Sequence, residues 1–348
     1  MASQMFLHPE NRGENCRHVM IHTLSVALAL VSQLFSEVFG GLAADFHVPN
    51  ALFKASARNV SETFSLEVTM DQWAENFWIM SHIWSTAWLL QAAINLFRRN
   101  VLGPVSCNPE IHPPLFYLMW AIINTARICG MFLWSKHDLL GVLFLKWLLP
   151  VYSFYMLHMS SCNLSKHRVW LAINNPSETW WIRYLTQNGL ALFATWTLLE
   201  ANITLGIVFK YRAGLQDPMA SSVVLTVLLL CMIIWFVYER FLFINHIRYT
   251  FCVYPTLILG LGAMFTRSYR VNDLSTNTIF CGSLMLLATL LSCVHLSSLC
   301  CFIQKPPTFR GQQEPCVRCE ACETVCRPES MMDTKATSDI NKKVIYKI

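Results

Sequence analysis

Long apolar runs separated by short polar loops dominate this chain. A helix needs about 20 apolar residues to cross a membrane, and eight runs approach that length. We therefore predict an all-α, multi-pass membrane helix bundle with eight transmembrane helices: His18–Leu42, Phe77–Phe97, Pro114–Trp134, Leu139–Cys162, Thr186–Phe209, Ser221–Tyr238, Tyr249–Phe265 and Thr276–Phe302. An even number of spans places both termini on one side of the membrane.

Basic residues indicate which side that is. Seventeen of the 26 lysines and arginines fall in the terminal segments and the loops on their side, and seven fall in the opposite loops. Cytoplasmic loops carry an excess of these residues, so we predict cytoplasmic termini. The first run also has features of a cleaved signal peptide, with Arg12 and Arg17 before it and small residues after it. Its length and the even parity of the spans favour a retained helix.

The composition agrees with a membrane protein. Only 14% of the 348 residues are charged and 54% are hydrophobic, whereas soluble domains carry about 25% charged residues. The net charge of +5 is modest and eight of the basic residues lie in the C-terminal tail, which argues against nucleic-acid binding and for the lipid bilayer as a partner. The sequence leaves the oligomeric state open.

The largest loop on the predicted outer side spans residues 43–71 and carries the sequon Asn59-Val60-Ser61. Glycosylation of Asn59 would require passage through the secretory pathway. By chance alone, a single sequon also arises easily. The loop is expected to cap the outer face of the bundle.

Tryptophans are abundant, and four of the twelve lie deep in their runs: Trp84, Trp88, Trp120 and Trp196. Tryptophan at a membrane interface is common, but a buried indole needs an acceptor for its N–H. Deep tryptophans therefore favour a shared internal pocket over plain packing.

Two of these runs carry a family resemblance. The segment Ile83–Ala92, I-W-S-T-A-W-L-L-Q-A, and the segment Q-N-G-L-A-L-F-A-T-W-T from Gln187 are similar to the second and fifth helices of the TspO/translocator protein family, the tryptophan-rich sensory proteins. The chain resembles an enlarged, eight-helix animal version. The resemblance implies a five-helix bundle over residues 1–212 and a pocket for a tetrapyrrole, sterol or similar lipophilic molecule. Three further helices follow at 213–303, and then a cytoplasmic, disordered tail at 304–348.

The chain departs from the family pattern where that pocket is expected. Arg127 stands where the family has tryptophan in N-x-x-W, three residues after Asn124. Glu200 takes a position that is small in the family, and Thr204 takes a position of asparagine. We predict that Trp84, Trp88, Asn124, Trp196 and Thr204 line or border the pocket and that Arg127 and Glu200 set its polarity.

An acid in mid-membrane normally faces a bundle interior, a watery cavity or a partner charge. We therefore predict that Arg127 and Glu200 form an ion pair. In the alternative, Arg127 extends to one interface and Glu200 stays hydrated near the other.

Cysteines supply the remaining candidates. Cys316, Cys319, Cys322 and Cys326 follow a C-x2-C-x2-C-x3-C spacing, which is compatible with an iron–sulfur cluster, with zinc, or with a reduced and disordered tail. Cys300 and Cys301, at the predicted cytoplasmic end of the last helix, are candidates for S-acylation.

No enzyme motif accompanies these features, so catalytic residues are not predicted. The first functional hypothesis is non-enzymatic binding of a lipophilic small molecule. The second is a proton- or cation-coupled transporter or channel that uses Glu200, and the third is a redox or metal-binding protein that uses the tail cysteines. The sequon favours the secretory pathway or plasma membrane over the mitochondrial outer membrane.

Overall fold

The structure is a computed structural model that describes residues 9–44, 53, 57–100, 103–243, 247–269 and 274–304. Nearly all of these residues are helical, which confirms the all-α prediction. The tail cysteines Cys316, Cys319, Cys322 and Cys326 lie outside the described residues, as does the side chain of Cys301. The metal-site prediction therefore stays a prediction.

The helices are α1 Pro9–Ala43, α2 Ala57–Thr63, α3 Asn76–Phe97, α4 Pro114–Ser135, α5 Leu139–Lys166, α6 Arg168–Asn174, α7 Pro176–Trp181, α8 Asn188–Tyr211, α9 Asp217–Val237, α10 Val253–Ser268 and α11 Thr276–Gln304. A 3₁₀ turn, Gln72–Glu75, precedes α3, and π-helical turns occupy Ile182–Gln187 and Tyr238–Leu242. Two short strands, β1 Arg99–Asn100 and β2 Gly103–Pro104, form a hairpin after α3.

Six helical segments in the described part of the chain are long and apolar enough to cross a membrane: Arg17–Ala43, Pro114–Ser135, Leu139–Lys166, Pro176–Tyr211, Asp217–Leu242 and Thr276–Cys300. The other two predicted spans are helices, but they fall short of that standard, so a count of eight is not confirmed. Helix α10 has 16 residues, about 24 Å at 1.5 Å per residue. Helix α3 has 22 residues but carries many polar side chains, among them Ser81, His82, Ser85, Gln91 and Asn95.

Five long helices form a closed ring in the order α1, α4, α5, α8, α3, with α3 packed back against α1. Helices α9 and α10 pack on the outside of α8, and α11 packs on both of them. All of these helices place residues in one continuous apolar core, and α11 contributes Cys281, Leu284 and Ala288. The core runs across the predicted boundary at residue 212, so the chain forms one bundle.

Helix α8 lies at the centre of this bundle, and most of its residues are buried. A helix that is apolar on all sides is expected in such a place. Glycine permits a close approach here: a Cβ on Gly206 would lie 2.8 Å from Leu66 Cδ1 and would also overlap Val224. Residues on every face of α8 are therefore constrained by packing.

The segment from Ala57 to Glu75 lies across one end of the bundle, which we call the capped end. Three contacts attach it: Asp71 N donates to Ala263 O at 3.1 Å, Lys210 Nζ donates to Ser65 O at 2.7 Å, and Glu67 N donates to Asp217 Oδ1 at 3.0 Å. The described part of the predicted outer loop thus closes over the helices.

Candidate ligand site at the capped end

A pocket of about 140 Å³ lies beneath the cap, between α3, α5 and α8. Trp78, Trp134 and Trp196 form its aromatic walls, and Glu200, Thr204 and Lys146 contribute polar atoms. Exposed Glu62 and Glu75 stand at its rim. The pocket is therefore aromatic in its depth and acidic toward the capped end.

Glu200 is held at this site by two donors. Trp78 Nε1 donates to Oε1 at 2.6 Å, and Lys146 Nζ lies 3.4 Å from Oε2. The carboxylate keeps about a quarter of its surface exposed. Glu200 therefore forms one hydrogen bond and one ion pair at the wall of the pocket.

Arg127 lies over the face of the Trp78 indole, whereas Glu200 binds the N–H at the edge of the same ring. Its guanidinium carbon is 4.8 Å from the centre of the Trp78 ring, and Nη2 lies 3.1 Å from His82 Nε2. No ion pair joins Arg127 to Glu200 among the described residues, so the predicted pair is wrong. The indole separates the two charges, and Glu200 takes its cation from α5 instead.

The sequence predicted no functional role for Lys146. A lysine inside an apolar run typically extends its ammonium group to the membrane interface. Here its ammonium lies 5.2 Å from the centre of the Trp134 ring and close to Glu200. A cation between an aromatic face and a carboxylate is doubly favoured. The signal in the sequence was the position of Lys146 about two turns inside the predicted span.

Two further predicted residues line the pocket. Trp196 stacks on Phe77 with ring centres 4.1 Å apart, and its indole N–H has no acceptor among the described residues. Thr204 donates its hydroxyl to the Glu200 carbonyl at 2.8 Å, one turn back on α8. Trp196, Glu200 and Thr204 are thus the predicted residues that the fold brings together.

The other predicted pocket residues lie elsewhere. Trp84 packs against Gly189 and donates to the Leu185 carbonyl at 2.9 Å, and Asn124 donates to Ser32 Oγ at 3.2 Å between α4 and α1. Trp88 lines a separate cavity of about 40 Å³ near the opposite end of α3, together with Asn95 and Glu178. Helical periodicity places these side chains at other depths or on other faces.

A buried polar cluster in the C-terminal helices went unpredicted. Glu239, on the second π-helical turn, accepts a hydrogen bond from Tyr254 OH at 3.0 Å and contacts His295 Nδ1 at very close range. All three side chains are almost fully buried. No spacing in the sequence links His295 to its partners, because they come from two other helical segments.

The described residues hold no group of three or more potential metal ligands. Asn59 lies on α2 with an exposed side chain, and Cys300 is exposed near the end of α11. Both positions are accessible to a modifying enzyme, as the predictions of glycosylation and acylation require.

Comparison with known proteins adds no relative. No family model matches the chain, and neither a curated protein nor a solved structure is significantly similar to it.

Proposed function

We propose that this multi-pass membrane protein binds a small lipophilic molecule, without chemical conversion, in the pocket at the capped end. The observation that supports the proposal is the pocket of about 140 Å³ with three tryptophans in its walls. An engineered protein cavity of about 150 Å³ lined by apolar side chains binds benzene. The pocket therefore suits a molecule, or one part of a molecule, of about that size.

The indole N–H of Trp196 adds a polar preference. Its N–H is buried and lacks an acceptor among the described residues, and leaving such a donor unpaired costs about 1–3 kcal/mol. A ligand that carries an oxygen or nitrogen acceptor would satisfy this donor. Small amphiphiles are thus favoured over pure hydrocarbons.

The TspO-like assignment is part of this proposal. The closed ring of α1, α3, α4, α5 and α8 supports it, because a five-helix core is what the resemblance implies. Tetrapyrroles and sterols are much larger than benzene, so only part of one would fit the pocket at its present volume. The pocket that the family resemblance implies would then be narrower in this chain, at Lys146 and Glu200.

We further propose that α3 and α10 also cross the membrane, which gives eight spans and cytoplasmic termini. The position of α3 between α1 and α8 in the ring supports this. The capped end would then face the lumen or the cell exterior. A glycosidase-sensitive gel shift that disappears in Asn59→Gln would establish both this orientation and passage through the secretory pathway, whereas modification of an engineered site near residue 304 would contradict it.

Benzyl alcohol, a benzene-sized amphiphile, is a suitable probe for the binding test. It is expected to raise the Tm of the purified protein in detergent, because a ligand that binds only the native state stabilises it. Thr204→Leu should abolish the shift by filling the pocket. Thr226→Leu is the matched control: Thr226 makes the same bond to its own helix, with its Oγ1 2.8 Å from the Ser222 carbonyl, but lies exposed on α9. An equal shift in both variants would contradict the proposal.

Transport is the second candidate, favoured by the separate cavity beside Trp88 and Glu178. Trp78 in the first cavity and Trp88 in the second are ten residues apart on α3, about 15 Å at 1.5 Å per residue. Uptake of labelled probe into proteoliposomes, lost in Glu200→Gln, would support transport. Binding of the probe without its uptake would argue against transport and for binding alone.

A further inference from the structure

We propose that the ligand of the capped-end pocket is an organic ammonium ion, a protonated amine joined to an aromatic or aliphatic body that also carries an acceptor for the Trp196 N–H. This inference rests on the proposed function and adds the charge of the ligand to it. The charged groups that line the pocket carry it: four carboxylates, Glu62, Asp71, Glu75 and Glu200, stand against two cations, Lys146 and Arg267. A cleft lined by an excess of one sign concentrates ligands of the other sign.

The walls of the pocket match the same ligand chemistry. An ammonium group is attracted to the face of an indole within about 6 Å of the ring centre, most strongly where water is excluded. Trp78, Trp134 and Trp196 all border the pocket, and Glu200 lies among them. Aromatic faces around one carboxylate form a receptor for a cation with an apolar body.

The ammonium group of Lys146 already occupies this site in the structure. Lys146 Nζ lies 3.4 Å from Glu200 Oε2 and 5.2 Å from the Trp134 ring centre. The Lys146 ammonium therefore shows where the nitrogen of a ligand would bind. The lysine stem is flexible, and its side chain is 28% exposed, so it is free to turn toward solvent when a ligand displaces it.

Lys146 consequently acts as a tethered competitor. A group linked by a short flexible chain has an effective concentration in the millimolar range or above, so a ligand ammonium must displace it. Removal of the lysine should tighten the binding of an amine, and removal of the carboxylate should weaken it. Only a cationic ligand responds with this pair of signs, because an anion would respond in the reverse sense and a neutral ligand would change little.

Three probes of one size and different charge provide the test: benzylamine, benzyl alcohol and benzoate. Their affinities for the purified full-length protein in a non-ionic detergent are measured by calorimetry at neutral pH. Lys146→Met should tighten benzylamine by roughly fivefold, and Glu200→Gln should weaken it by a similar factor, as expected for one favourable charged contact. Benzyl alcohol should change by less than about twofold, and benzoate should respond in the reverse sense.

Lys136→Met is the matched control for net charge. Lys136 is exposed just after α4, near the same end of the bundle, and does not line the pocket. Its removal should leave all three affinities unchanged. A benzylamine affinity that is no higher than that of benzyl alcohol, or that rises in Glu200→Gln, would overturn the ammonium proposal while leaving the pocket intact. Failure of all three probes to bind, in wild type and in Lys146→Met, would instead overturn the proposed function.

Discussion

The indole of Trp78 donates a 2.6 Å hydrogen bond to Glu200 across the interface between α3 and α8. The Arg127 guanidinium lies over the face of the same ring, 4.8 Å from its centre. One tryptophan thus joins an anion and a cation that do not touch. This arrangement replaces a direct ion pair and leaves Glu200 free to face the pocket.

We expect Glu200 to be coupled energetically more strongly to Lys146 than to Arg127. In a double-mutant cycle on thermal unfolding in detergent, Glu200→Gln with Lys146→Met should show an interaction energy of about 1 kcal/mol. The cycle with Arg127→Met should show less than half of that, since no bond joins the two side chains. Exchange of the Arg127 and Glu200 charges should not restore stability; a full rescue would show that they pair.

Removal of the Trp78 donor should destabilise the protein. Trp78→Phe keeps an aromatic ring but loses the hydrogen bond to a carboxylate, a bond worth about 1.5–3 kcal/mol. Trp235→Phe is the control, because the Trp235 N–H has no partner among the described residues. A lower Tm for Trp78→Phe only is the expected result, and equal losses would indicate that ring size alone matters.

Packing around α8 predicts opposite effects of one substitution at two glycines. Gly206→Ala should destabilise the bundle by about 1–3 kcal/mol, because the new methyl group would overlap Leu66 and Val224. Gly130→Ala, in α4, meets nothing within 4 Å and should be neutral or stabilising, since alanine favours a helix by up to about 1 kcal/mol. Thermal unfolding of the two variants compares them directly, and a tolerated Gly206→Ala would mean that α8 and α9 are not in close contact.

The sequence predicted those features that depend on local pattern. Eight helices occur where apolar runs of adequate length predicted them, and Trp196, Glu200 and Thr204 lie at one pocket because they share one face of α8. Features that depend on which helices are neighbours were not predictable in this way. Lys146 reaches Glu200 only because α5 packs against α8, and no spacing along the chain encodes that contact.

The same limit applies to the cluster around Glu239. Its three side chains come from the π-helical turn Tyr238–Leu242, α10 and α11. An acid beside a helix end appeared unremarkable in the sequence, and a lone histidine is more often structural than functional. The Glu239 carboxylate is buried only because tertiary packing brings these three segments together.

We expect the hydroxyl of Tyr254 to stabilise that carboxylate. Tyr254→Phe should lower stability by about 1.5–3 kcal/mol, since it removes a hydrogen bond to a buried charged group. Tyr269→Phe is the matched control, because Tyr269 is exposed and its hydroxyl has no hydrogen-bond partner among the described residues. Unfolding of both variants in detergent measures the difference, and a neutral Tyr254→Phe would imply that Glu239 is protonated or solvated.

Photolabelling tests the central claim of a ligand pocket at the capped end most directly. A diazirine derivative of benzyl alcohol, activated on the purified protein and located by mass spectrometry, should modify Trp78, Trp134 or Ile203, which line the pocket. Excess benzyl alcohol should suppress this labelling, and Thr204→Leu should abolish it. Labelling confined to outward-facing residues such as Leu230 and Leu286, without competition, would contradict the account.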